Sequence, residues 1–367
     1  MMSGQINHWF AMNLLKKYSG LPILRSYGLL LFVLASCSPV RYIGIETRNP
    51  AALTFPPEMR RVLIVDNAVP QQDVPFESVF RQLPDSIQIT ADSTTFDFCR
   101  TLGETIADFA GFDDVRLLED GYRKDRQPLL APYLTPDEVG QLCDEHEVDI
   151  IVSLDRLLFR LKEYEGYVYG MEAGGIVDVE MSGVLRVYLP GRVSPLTTIA
   201  LADTITPVPE LIIEQNDRGS WNVILSPDQT FLLRESAKFL AEEARIHFIP
   251  YWNEDIRWYY VASNAKWKEA SAYAAAERWD KALEIWRTLY GQTSSWKQKS
   301  RLASNIALGF ELTGDLNEAL KYAEQSHRLL SGQTGDDHPT VKRQDIYIKV
   351  LSHRILEEMR LQLQINN

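Results

Sequence analysis

Histidines, cysteines and carboxylates are the residues of this chain with the chemistry to bind or react, and their spacing decides most cases. The six histidines are His8, His146, His247, His327, His338 and His353; no two stand four apart, and none accompanies a Glu in zinc-protease spacing. Neither a phosphate-cradling glycine loop nor a strained nucleophile turn occurs, because Gly170, Gly174 and Gly175 read as a turn beside a strand. Asp178 and Glu180 fall on one face of an expected strand. That spacing permits acid–base work, but it is more simply the wetted side of a sheet. Asp155 lies inside another expected strand, either at its exit or paired with Arg156 or Arg160. Cys99 and Cys143 sit among apolar residues at helical spacing and read as buried thiols, a bridge between them being the alternative in an oxidising compartment. No catalytic, cofactor-binding or metal-binding residue is assigned, and the chain reads as a non-enzyme.

Cys37 stands apart. It follows Leu34, Ala35 and Ser36 at the end of the apolar run 29–35, which is itself preceded by Lys16, Lys17 and Arg25 without any acidic residue. The run is shorter than the roughly 20 apolar residues that span a bilayer. A basic start, a short apolar core and small residues before the cut make residues 1–36 a secretory signal, with Met12 an alternative start. Leu34-Ala35-Ser36-Cys37 resembles the lipobox of bacterial lipoproteins. That resemblance implies a diacylglyceryl group on the Cys37 thiol and membrane attachment through the lipid. Ser38 after the cysteine implies the outer membrane by the usual sorting rule, and no acidic cluster follows, which implies the periplasmic face.

The formal net charge is −12, and removing the three cations of residues 1–36 leaves −15 on the remainder. An acidic body has no basic face for phosphates, which argues against nucleic acid or an anionic bilayer surface as the main partner, so membrane attachment must come from an apolar or covalent anchor. With 45% hydrophobic and 24% charged residues the chain has the composition of a folded protein, and 367 residues suggest two domains.

Residues 37–58 read as a tether, since Pro39, Pro50, Pro56 and Pro57 block helix. Residues 59–250 read as an α/β domain with a mixed, partly antiparallel sheet. Its expected strands are 61–66, 115–118 and 149–154 with an extension toward Leu161, followed by the alternating stretch 177–189 and its partner 196–205 across the Pro190-Gly191 turn. Its expected helices are 96–110, then one opened by Thr135-Pro136-Asp137-Glu138 and closing near His146, then 228–246. Residues 251–263 form an aromatic connector that contains Trp252 and Trp258.

Residues 264–330 change character to alanine-rich helix with an internal repeat. Ala282 and Ala319 sit in matching settings 37 residues apart, with extra residues near 292–296 between the units. The second unit, with Asn305-Ile306-Ala307, Phe310, Gly314-Asp315, Ala319-Leu320 and Tyr322-Ala323, resembles a tetratricopeptide repeat. The first unit, with Ala270, Tyr273, Trp279, Ala282 and Trp286, matches more loosely, and residues 331–367 supply a capping helix. The fold class is therefore an α/β domain followed by an all-α repeat domain. By the same resemblance Asn305 is the leading residue for contacting a bound peptide, with helix packing as its other role. Lys266, Trp252 and Trp258 are the remaining partner-binding candidates.

The order of lipobox, proline-rich tether, strand 61–66, α/β domain, the Arg245 to Trp252 segment and helical repeats resembles an uncharacterised family of Gram-negative lipoproteins with a domain of unknown function. The linking motifs are Asn49-Pro50-Ala51 and residues 245–252, and no activity comes with the resemblance. The element order of the α/β part is also similar to the periplasmic domain of curli-secretion channel lipoproteins and to the amino-terminal domain of the Tol translocation protein, an analogy of fold alone. The expectation is a lipid-anchored envelope scaffold that binds a protein partner through its repeats. One alternative is a subunit of a secretion or assembly complex that oligomerises through a sheet edge. The other is a hydrolase acting through acidic residues near Asp155 or Asp178.

Overall fold

Short β-branched runs and amphipathic helices settle into two compact units in the computed structural model, which describes residues 40–79, 89–118, 120–123, 125, 127–168, 171–207, 211–215, 221–225 and 229–365. One unit holds residues 48–253 with 357–367, and the other holds 40–47 with 254–356. The signal-like residues 1–36 and the sequence Leu34-Ala35-Ser36-Cys37 lie outside the described residues.

The first unit is a mixed sheet carrying helices. Its strand order is β4 (Asp114–Leu117), β2 (Arg61–Asp66), β5 (Ile150–Val168), β6 (Met171–Tyr188), β7 (Thr197–Ile205), with β3 (Phe76–Ser78) also on β5. β2 runs parallel to both neighbours, with Val62 opposite Val115 and Ile150. β5, β6 and β7 are antiparallel. A separate hairpin pairs β8 (Leu211–Gln215) with β9 (Trp221–Leu225).

β2 shows why the sheet is covered on both faces. Val62 and Ile64 join the cluster that includes Phe98, Leu102 and Ile106 of α1 (Thr94–Ala107) and Leu232 and Leu240 of α3 (Gln229–Ala244). Leu63 and Val65 face Val139 and Leu142 of α2 (Pro136–His146). A continuous apolar strand of this kind is what burial on two faces requires, and each fully buried side chain contributes about 1.5–3 kcal/mol. α2 begins as its sequence implies: Glu138 N donates to the Thr135 hydroxyl, and the Glu138 carboxylate accepts from Thr135 N at 2.7 Å. The turn between β6 and β7 places Gly191 at φ +77°, where a side chain would be strained.

β5 is longer than its sequence suggested, running past Leu161 to Val168, with register shifts at Leu154/Arg156 and Tyr164/Gly166. Cys99 and Cys143 are both free and buried, one in each cluster flanking the sheet, so the bridge does not form.

The expected tether contains a strand. β1 (Val40–Asn49) pairs with β10 (Tyr251–Tyr260), and β10 occupies most of the expected connector. The physical reason is in the pattern: Ile45 and Thr47 are buried while Gly44, Glu46 and Arg48 are exposed, and Pro39 and Pro50 stand just outside the strand.

The second unit continues with α4 (Ala265–Ala275), α5 (Trp279–Gln292), α6 (Trp296–Leu312), α7 (Leu316–Thr334) and α8 (Pro339–Ile365), the last extending to residues of the first unit. Consecutive helices pack on one another, and several residues 37 apart are alike in burial. Ala270 and Ala307, Ala282 and Ala319, and Trp286 and Ala323 are all fully buried. Glu277 and Gly314, also 37 apart, are the left-handed residues in the two interhelical turns, at φ +57° and +89°.

A candidate partner-binding groove

Within the helical unit, β10 is fixed to the helices at several points. Tyr260 N donates to Asn305 Oδ1 at 2.7 Å, and Asn305 Nδ2 donates back to Tyr260 O at 2.8 Å. Trp267 Nε1 of α4 donates to the same carbonyl at 2.8 Å. Upstream, Arg257 Nε donates to Glu311 at 3.0 Å, and Arg354 and the Tyr347 hydroxyl bond the same carboxylate. Glu311 is fully buried with two guanidinium partners, and burial beside it pushes the Tyr347 phenol well above its ordinary range.

The ribbon fixed in this way forms one wall of a cavity of about 570 Å³. Ile43, Gly44, Ile45 and Glu46 come from β1 and Glu254 from β10; Ala274 and Ala275 end α4, Glu277 lies in the turn, Trp279 opens α5 and Leu312 ends α6. The lining is thus part apolar and part acidic. Glu46, Glu254 and Glu277 are exposed, and their carboxylates form no ion pair or hydrogen bond among the described residues. Gly44 gives Glu254 its position, because a Cβ there would stand 2.6 Å from Glu254 Oε1. Three carboxylates without ion pairs share the lining with apolar side chains, an arrangement that favours a cationic group attached to an apolar one.

The candidates named from sequence scatter. Asn305 is fully buried with its amide bonded to the Tyr260 backbone, as in the packing role weighed beside a peptide contact, and it holds the strand that carries Glu254. Lys266 is exposed and pairs with Glu269 at 2.9 Å, away from the cavity lining. Trp258 is half-buried, stacked at a tilt on Tyr347 with Arg343 over its ring, and serves the core. Trp252 is 64% exposed in the other unit. Cys37, Leu34, Ala35 and Ser36 fall outside the described residues.

Acidic candidates in the α/β unit serve structure. Asp155 is fully buried; it accepts from Asn67 at 2.8 Å and Ser153 at 2.6 Å, and it pairs with Arg186 in place of the anticipated Arg156 or Arg160. Burial raises its pKa against those opposing contacts. Asp178 accepts from the Tyr164 and Thr206 hydroxyls, and Glu180 pairs with Lys162. His247 is pushed down by burial, and His327 faces Asp345 at 2.9 Å. Among the described residues no group of His, Cys, Asp and Glu side chains could hold a metal ion. Sequence reasoning missed Asp66, which is buried at the end of β2, bonded by Ala68 N and near Thr95, and raised by burial to about 6. It also missed the cavity carboxylates Glu46, Glu254 and Glu277, which no local spacing in the sequence joins.

Comparison with known proteins places two family descriptions on the chain. Residues 59–260 match a domain of unknown function (DUF8603) and residues 268–353 match a second domain of unknown function (DUF6340). No curated protein matches the sequence. Among solved structures, a point variant of the PelC dodecamer from Paraburkholderia phytofirmans is similar at 12% identity, with 57% of this chain and 98% of that one covered and a TM-score of 0.23.

Proposed function

The chain belongs to the family defined by the domain of unknown function DUF8603, and on that premise we propose a lipid-anchored, non-enzymatic scaffold of the bacterial envelope whose helical unit takes a basic segment of a protein partner. The lipid attaches to Cys37, and the sorting signal at Ser38 directs the protein to the periplasmic face of the outer membrane. The helices α4–α7 act as tetratricopeptide-like repeats, a reading supported by the 37-residue equivalence of buried alanines and of left-handed turns. The observation that carries the function is the cavity whose rim holds Glu46, Glu254 and Glu277 without cationic partners. Asn305 and the Glu311 network contribute by holding β10 in place.

Labelled peptides of about ten residues (roughly 3.3 Å each when extended) test this with the full chain. Peptides combining Lys or Arg with Leu should bind, with affinity falling as salt rises, and acidic counterparts should not. Replacing all three groove glutamates by glutamine should weaken binding about tenfold or more. Equal binding of basic and acidic peptides would defeat the proposal. A second reading, self-association through the sheet, draws on β7, which has β6 as its one strand partner among the described residues. Mass measured against concentration tests it, and a mass fixed at the monomer value would dismiss it.

A further inference from the structure

Only Ser38 and Pro39 separate Cys37 from the first strand, because β1 begins at Val40. Val40 and Ile43 pack against the core of the helical unit, beside Tyr259, Tyr260 and Trp267. The chain from Cys37 to Val40 therefore spans at most about 10 Å, and from Cys37 to Tyr42 about 17 Å. A free tether over all of residues 37–58 would reach about 70 Å. With residues 40–49 taken up in a strand, a lipid on Cys37 holds the helical unit close against the membrane.

The ribbon of β1 and β10 exposes apolar side chains within that reach. Tyr42 is 64% exposed and Ile256 is 70% exposed. A Cβ on Gly44 would stand 2.6 Å from Glu254 Oε1, so Gly44 and Glu254 share one face of the ribbon. Tyr42 lies two positions before Gly44, and Ile256 two after Glu254, which puts both on that face. The alternate positions Ile45, Thr47, Arg257 and Tyr259 are buried. Arg41 is exposed beside Tyr42; it forms no ion pair, and the Tyr42 hydroxyl no hydrogen bond, among the described residues. A tyrosine with a free hydroxyl, a branched aliphatic side chain and an unpaired cation are the types that settle between hydrocarbon and headgroups.

We infer that the helical unit lies on the bilayer surface through this ribbon face, with Tyr42 and Ile256 entering the interface and Arg41 at the level of the lipid phosphates. The inference rests on the lipid proposed for Cys37 and is independent of what the groove binds. The short leash selects lipid over a protein partner. It presents Tyr42 to the bilayer at an effective concentration on the order of millimolar or above, whereas a protein must be collected from solution. The contact is mainly apolar and needs no anionic lipid, in keeping with a chain of net charge −12.

The test uses the lipidated chain, purified from envelopes and reconstituted into phosphatidylcholine vesicles, with the mass of the amino-terminal peptide reporting the acyl groups. A nitroxide is placed at Ile256→Cys or, as a control, at Glu284→Cys on an exposed position of α5, with Cys99 and Cys143 buried. The reference is the mature chain from residue 37 onward carrying Cys37→Ser, free in buffer. On vesicles the Ile256→Cys label should become several-fold less accessible to a water-soluble nickel complex and more accessible to oxygen, and the Glu284→Cys label should stay as in buffer. Adding Tyr42→Ser should weaken docking about tenfold and return much of the nickel accessibility. That side chain is exposed, and circular dichroism checks the fold. A lipidated chain whose Ile256→Cys label stays as open to nickel as the control overturns the inference and leaves the lipid reading standing. A peptide mass without acyl groups defeats the lipid reading and this inference with it. Protection of the label already present in the Cys37→Ser chain without vesicles overturns it in favour of a protein contact, a second copy included.

Discussion

Glu277, in the turn between α4 and α5, holds a left-handed backbone conformation, φ +57°, and Gly314, in the turn between α6 and α7, holds one at φ +89°. An L-residue pays about 1–2 kcal/mol there, while glycine costs about 0.5–1 kcal/mol in lost chain freedom. Glu277→Gly should therefore leave the fold as stable as before or more stable by about 1 kcal/mol. Its carboxylate is on the cavity rim without a cation of its own, so the same change should weaken a basic peptide by about fivefold, the effect of one solvent-screened charge pair. Urea unfolding followed by circular dichroism gives the first quantity and peptide anisotropy the second. Glu277→Gln separates them: it keeps the strain and removes the charge, so it should lose binding without gaining stability. Gly314→Ala, which adds a side chain at φ +89°, should destabilise by about 1 kcal/mol. A destabilised Glu277→Gly would refute the strain argument, and unchanged peptide affinity in both variants would refute the role assigned to the carboxylate.

Asp66 supplies a pH test. Burial raises its folded pKa to about 6 from the usual 3.8, so the native state binds the proton more tightly than the unfolded chain. Its contribution is fully present below the lower value and falls as pH rises between them, by about 3 kcal/mol in all. Asp66→Asn should thus stabilise the protein at pH 8 by up to that amount and leave it nearly unchanged at pH 4; a mutant gain independent of pH would contradict this. Glu311→Gln strips the counter-charge from Arg257 and Arg354 and should cost about 3–5 kcal/mol in denaturant unfolding, whereas Tyr347→Phe should cost about 1 kcal/mol.

The sheet and helices were legible wherever one period dominated. The alternation along 177–189 gave β6, the Thr135–Glu138 box gave the start of α2, and the alanine-rich pattern gave the C-terminal run of helices. β1 was hidden because Pro39 and Pro50 flank ten residues that look like a tether until β10, some two hundred positions later, supplies the partner strand. The groove was hidden for the same reason: Glu46, Glu254 and Glu277 have no local spacing that joins them, and only the pairing of β1 with β10 brings the first two together. For Asn305 the sequence left a ligand contact and a packing role open, and the backbone of Tyr260 takes both its donor and its acceptor. Asp66 closes a β-branched run, and nothing in the run says that its carboxyl will be covered.

Hydrogen–deuterium exchange on the full chain, with and without a saturating basic–apolar peptide, tests the groove most directly. The account predicts added protection at residues 43–46 and 274–279 and around Glu254, with the α/β sheet unaffected. Protection confined to other segments, or none at all under saturating peptide, would contradict it.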